Sequence, residues 1–273
     1  MRLLLPLVAA LALLLVACGG GDDENGDNEP SPTATTAAAG EPQATAAPAS
    51  ATAPAPTSAA TVEDRPEVET LLKAAALQLE DLPSGYTLDD ETFSTNEESA
   101  EDESELLGGP TLEDLNRFGR ILGYEASYSQ EAGLSSILEG GTLSLQVTTT
   151  LYEDSDGADK AFEFVREQAS DPEFVEAFEE SFAGSPGVEV RDASISPMSF
   201  AELGDDRLAF GIKVSAHSTE LDQDFDFIAR VVGIRRDRAI GSVTVLAVNE
   251  SPPEDELEDL ARTLDERMKD ALE

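Results

Sequence analysis

The sequence predicts an α+β domain: a mostly antiparallel sheet with helices packed on one face, preceded by a signal peptide and a disordered linker. Two observations carry the domain. Several stretches alternate apolar and polar side chains with a period of two, as strands do, and most lie in the second half of the chain. Segments with helical periodicity flank them, the segregation expected of an α+β fold. A third observation sets the linker apart: residues 19–62 show no periodicity at all.

Order is expected from near Val62. In "RPEVETLLKAAALQLEDLPSGY", Pro66 fits a first helical turn, where its missing N–H costs little. Val68, Leu71, Leu72, Ala75 and Leu79 fall on one face, and Pro83 and Gly85 stop the helix. Residues 89–105, "DDETFSTNEESAEDESE", hold nine acids and no base. They lack the regular spacing and turn glycine of a calcium loop, so a mobile acidic loop is expected.

"GTLSLQVTTTLYE" places Leu143, Leu145, Val147, Thr149 and Leu151 on one side and Ser144, Gln146, Thr148 and Thr150 on the other, a half-buried strand. In "DSDGADKAFEFVREQ", Asp154, Asp156, Gly157 and Glu163 match positions 3, 5, 6 and 12 of an EF-hand loop. Tyr152 then stands where the first aspartate belongs, so Asp156 with Asp159 is read as a helix cap. A short helix is expected over residues 172–182, "PEFVEAFEESF", ended by "AGSPG".

"VEVRDASISPMSF" is the next strand. "RLAFGIKVSAH" sets Leu208, Phe210, Ile212, Val214 and Ala216 against Lys213, Ser215 and His217. "DFDFIARVVGI" and "RAIGSVTVLAVN" form a hairpin around "RRDR", and the second strand, apolar on both faces, is expected to be central. The last helix opens with Ser251 as N-cap and Glu254 completing a capping box. Its stripe of Leu257, Leu260, Leu264, Met268 and Leu272 covers the sheet.

The chain carries 17 basic and 57 acidic residues, a formal charge of -40. That excludes nucleic acid as a partner, because phosphate binding needs clustered Lys and Arg. It also disfavours adhesion to anionic lipid. One cysteine rules out an internal disulfide framework and any multi-cysteine zinc site. The single histidine, His217, sits on a polar strand face and is read as a solvated residue.

Arg2 precedes an apolar run over residues 3–17, too short for a membrane span of roughly 20 residues but typical of a secretory signal. The run ends in Leu15-Val16-Ala17-Cys18. This resembles the lipobox of bacterial lipoproteins. The resemblance implies that Cys18 receives a diacylglyceryl group and becomes the first residue after cleavage. The expected division is residues 1–17 as signal peptide, 18–62 as lipidated cysteine and Ala/Pro/Thr-rich linker, and 63–273 as one globular domain. A flexible linker of that length reaches roughly 35–40 Å.

Beyond residue 66, "LEDLPSGYT", "ELGDDRLAF" and "VVGIRRDRAIGSVTV" resemble extracytoplasmic sensor-like domains of bacterial lipoproteins and receptor-type serine/threonine kinases. The resemblance implies a fold, and fold does not imply function.

No G-x-S-x-G, S-x-x-K, H-E-x-x-H, phosphate-loop or dinucleotide motif is present. No catalytic residue, metal ligand or cofactor is therefore nominated. Arg230, Arg235, Arg236 and Arg238 fall within nine positions. They read as a solvated hairpin paired with nearby acids. The sharper alternative is a partner or anion contact at Arg235, Arg236 and Arg238. The expected function is that of a non-catalytic lipoprotein, held on the membrane through Cys18 and facing outward. It would bind a small ligand or an envelope protein, with the cleft between sheet and helices as the site. A structural envelope-assembly lipoprotein with no ligand site is the alternative, and a carboxylate-dependent hydrolase ranks behind both.

Overall fold

The computed structural model describes residues 65–103, 110–130, 140–171, 174–175, 187–219 and 222–273. In chain order these form α1 (Arg65–Ala75), a 3₁₀ turn (Leu79–Asp81), β1 (Tyr86–Ser94), α2 (Asn96–Glu103), α3 (Leu112–Arg117), β2 (Arg120–Gln130) and β3 (Gly141–Tyr152). There follow α4 (Ser155–Gln168), β4 (Val188–Pro197), β5 (Asp206–Ser218), β6 (Gln223–Arg236), β7 (Ala239–Val248) and α5 (Glu254–Leu272).

The seven strands make one sheet in the order β1-β2-β3-β7-β6-β5-β4, and each neighbouring pair is antiparallel. Two meanders meet where β3 pairs with β7. The expected α+β class with an antiparallel sheet is the one observed, and β7 occupies the central place its apolar faces predict.

One face of the sheet is covered by α1 and α5. Leu257, Leu264 and Met268 pack there on Val243, Val245, Leu145 and Val147. Each such buried aliphatic side chain contributes roughly 1.5–3 kcal/mol. Gly241 makes the approach possible, because a Cβ there would stand 2.5 Å from Met268 Sδ. Tyr128 Oη donates to the Leu77 carbonyl at 2.9 Å, and Thr149 Oγ1 to that of Leu72 at 3.0 Å, fixing the end of α1. The helical cover extends to the opposite face, where α4 packs Phe162 over Gly233.

Several local expectations are corrected. The acidic stretch 89–105 is not a loop where it is described: it holds most of β1 and then α2. An edge strand tolerates acids on both exposed faces. Helix α2 starts on a reciprocal pair of bonds, Thr95 N–H to Glu98 Oε2 and Glu98 N–H to Thr95 Oγ1. Helix α1 stops at Ala75, and Leu79 is exposed instead of buried. The Gln78 amide donates back to the Lys73 and Ala76 carbonyls and ends the helix there. The cap of α4 is Asp154, not Asp156, since Asp154 Oδ1 accepts from the Gly157 N–H. Ser251 does not cap α5, which begins at Glu254 after Pro253. A residue preceding a proline is kept out of helical conformation, and Pro252 precedes Pro253. A register shift between Thr142 and Ser144 turns Leu143 onto the face that carries Phe210 and Leu246. Residues 172–182, expected as a helix, lie outside the described residues except Phe174 and Val175, which are helical.

Candidate functional site

Strand β3 was expected to be half-buried, with Ser144, Gln146, Thr148 and Thr150 toward solvent. Its middle is instead buried on both faces, with Gln146 and Thr148 only 5% and 8% exposed. The reason is its place in the sheet, flanked by β2 and β7 and covered from both sides. The polar face of β3 joins that of β7 to make the floor of a cleft. Thr148 and Ser242 are register partners, and their hydroxyls share a 2.6 Å hydrogen bond.

The cleft lies on the α4 side of the sheet and encloses about 80 Å³. Gly123 and Glu125 of β2, Thr148 and Thr150 of β3, and Ser242 of β7 form its polar floor. Val231, Gly233, Leu208 and Phe210 continue that floor as apolar surface. Ala161, Phe162 and Val165 of α4 make one wall, and Leu115 of α3 with Phe118 makes the other. Phe118, Tyr152, Ala158 and Ala161 pack together and close one end.

Local chemistry holds these walls. Arg120 lies buried at the rim, where Nη1 donates to the Ser94 carbonyl at 3.2 Å and to Asn96 Oδ1 at 3.0 Å, and Nη2 to Ser94 Oγ at 2.9 Å. It occupies the space over Gly123, where a Cβ would stand 2.3 Å from Arg120 Nη2. Near the end of α4, Arg166 donates to Asp206 of β5 at 2.8 Å. Burial pushes the Asp206 carboxyl up, but the Arg166 bond and the Arg207 N–H outweigh it and hold it below the usual carboxylate range.

Two residues along from Thr148 and Ser242, on the same face, stand Gln146 and Thr244, again partners across β3 and β7. Gln146 Oε1 and Thr244 Oγ1 are both buried and have no hydrogen-bond partner among the described residues. Val231, the partner of Thr244 on β6, lines the cleft, so the pair adjoins its floor.

The arginines singled out at the hairpin do not share one surface. Arg235 points to the α4 side, with Nε 3.0 Å from Asp159 Oδ1 and Nη1 3.8 Å from Asp205. Arg236 points to the other face and lies bidentate on Asp265 of α5. Arg230 reaches Glu254 at 3.1 Å. Arg238 occupies the turn, its carbonyl accepting from the Tyr152 N–H at 2.9 Å. His217 stands away from the cleft on the outer part of the sheet, with Nδ1 2.7 Å from Asp224 Oδ1 and Nε2 3.7 Å from Asp222. The His217 bond, with Arg191 adding to it, holds the Asp224 carboxyl below its ordinary range. Among the described residues, no three His, Cys, Asp or Glu side chains are grouped as metal ligands, and no helix is long and apolar enough to cross a membrane. Cys18 lies outside the described residues.

The cleft between sheet and helices was expected, but none of the residues that line it was singled out from the sequence as a site residue. Its local signal was the run of Gln146, Thr148 and Thr150 facing one way, with Ser242 and Thr244 in an otherwise apolar strand.

No protein-family model matches the chain, and no curated protein sequence does. Among solved structures, the chain is similar to the extracellular domain of PknH from Mycobacterium tuberculosis. The TM-score is 0.38 at 10% identity, over 74% of this chain and 96% of that one. It is also similar to LpqN of Mycobacterium tuberculosis, described as involved in cell envelope biogenesis. There the TM-score is 0.25 at 15% identity, over 68% of this chain and 78% of that one. Similarity at this level says nothing of what the chain does.

Proposed function

We propose that this chain is a membrane-anchored extracytoplasmic lipoprotein whose α+β domain binds a small ligand in the cleft and carries out no reaction. The observation that carries the binding is the cleft: apolar walls from α3 and α4 over a polar floor of Thr148, Thr150 and Ser242 hydroxyls with the Glu125 carboxylate. Small-molecule sites combine apolar lining with a few placed polar groups in this way. The anchor rests on Leu15-Val16-Ala17-Cys18 at the end of the apolar run. Two acyl chains on one cysteine hold a domain on a membrane, where a single chain binds only marginally. A net charge of -40 works against adsorption to anionic lipid, so a covalent lipid supplies the attachment.

The binding is tested by mass spectrometry of small molecules released on denaturing the chain after gentle extraction from membranes. The unaltered chain is expected to release a molecule that an Ala161→Phe variant, with a filled cleft and an unchanged circular dichroism spectrum, does not. Identical extracts from the two would refute binding in the cleft.

A further inference from the structure

Gln146 and Thr244 are register partners, and their Oε1 and Oγ1 are buried and, among the described residues, unpartnered, on the face that forms the cleft floor. Gln146 and Thr244 are 5% and 4% exposed. Leaving such groups unpaired costs about 1–3 kcal/mol each, so their natural state is to be satisfied. Directly opposed partners on one face of an antiparallel pair have Cβ atoms roughly 4.5–5.5 Å apart, within the span of one bridging group. An amide oxygen only accepts, whereas a threonine hydroxyl both donates and accepts. A single hydroxyl therefore satisfies both: it donates to Gln146 Oε1 and accepts from Thr244 Oγ1.

Gln146 and Thr244 lie two residues along their strands from Thr148 and Ser242, about 7 Å at the usual strand rise. Neither residue lines the cleft as it stands: the pair lies just past the floor, beside Val231, and the cleft must extend by that much to reach it. A group seated there carries its hydrocarbon toward Phe210 and Phe162, both of which line the cleft. A carboxylate brings no donor for Gln146 Oε1 and would meet the Glu125 carboxylate of the floor. The space of about 80 Å³ is small beside the roughly 150 Å³ that holds a benzene ring, so the cleft must open slightly to admit a ring.

We propose that the cleft takes the hydroxyl-bearing end of a neutral, largely apolar molecule, an alcohol or phenol, with the hydroxyl bridging Gln146 and Thr244. The assignment rests on the ligand-binding reading above and adds the chemical class of the ligand.

The test titrates benzyl alcohol, toluene and benzoate into the full chain carrying Cys18→Ser, followed through the methyl resonances of Val231. Benzyl alcohol is expected to bind about ten-fold more tightly than toluene or benzoate. The near-isosteric double variant Gln146→Met/Thr244→Val is expected to lose that preference while still binding toluene, which also reports an intact cleft. Thr244→Val alone, the milder change, is expected to reduce the preference. Equal binding of benzyl alcohol and toluene by the unaltered residues overturns this assignment and leaves the cleft reading standing. A preference that survives the double variant overturns it too, and points to ordered water on the pair. Failure of all three probes to shift Val231 counts against both readings.

Discussion

Arg236 lies bidentate on Asp265, with Nη2 at 2.7 and 2.8 Å from its two carboxylate oxygens and Nε at 2.9 Å from one of them. The pair joins the β6–β7 hairpin to α5, and both side chains are largely buried, 23% and 14% exposed. Removing one partner strands the other charge away from full hydration. Arg236→Ala is expected to destabilise the domain by about 2 kcal/mol, between the values for exposed and fully buried pairs. Arg238→Ala, at the turn, should change stability by less than about 0.5 kcal/mol. Urea denaturation of the two variants checks the contrast, and equal losses would contradict it.

Gly157 sits in the first turn of α4, where a Cβ would stand 2.0 Å from the Phe118 carbonyl oxygen. In an exposed helix, alanine gains up to about 1 kcal/mol over glycine. Here the sign reverses. The helix must shift away from Phe118, and Gly157→Ala is expected to cost about 1–3 kcal/mol. A rise in thermal midpoint on this substitution would show that the contact is not rigid.

Alkaline pH should weaken the fold through Tyr86. Burial first, and the Glu256 charge second, push its hydroxyl up to about 12, against about 10 in an unfolded chain. Between those values the unfolded chain gives up the proton and the folded chain keeps it. Stability is therefore intact below pH of about 10 and falls as pH rises toward 12. Tyr124 acts in the same direction, raised by burial and by its bond to Glu91. Unfolding free energies at pH 8 and 11 should differ less in Tyr86→Phe than in the unaltered chain, by about 1 kcal/mol. An unchanged difference would mean that other groups set the alkaline limit.

The parts of the fold that repeat locally were legible in the sequence. Leu257, Leu260, Leu264 and Met268 recur at helical spacing and are buried as a stripe on α5. Leu208 through Ala216 alternate, and Phe210, Ile212 and Val214 enter one cluster. What was not legible depends on the sheet. The polar side of β3 looked solvent-facing because alternation shows which side chains share a face, not what covers that face. Thr148 and Ser242 are 94 positions apart, and no local pattern announces that they meet. The capping pair Thr95 and Glu98 was visible in principle, but the density of acids around it favoured a loop.

The proposed attachment through Cys18 is tested by the N-terminal peptide of the chain as it is found in membranes. The chain is expressed in a bacterial host that processes lipoproteins, recovered from membranes, and its N-terminal peptide is weighed by mass spectrometry. The prediction is a peptide that begins at Cys18 and carries the mass of a diacylglyceryl thioether. In Cys18→Ser that mass is absent and the chain is no longer held in the membrane as the lipidated form. A chain that begins elsewhere, or one that begins at Cys18 with a free thiol, would refute lipid attachment at Cys18.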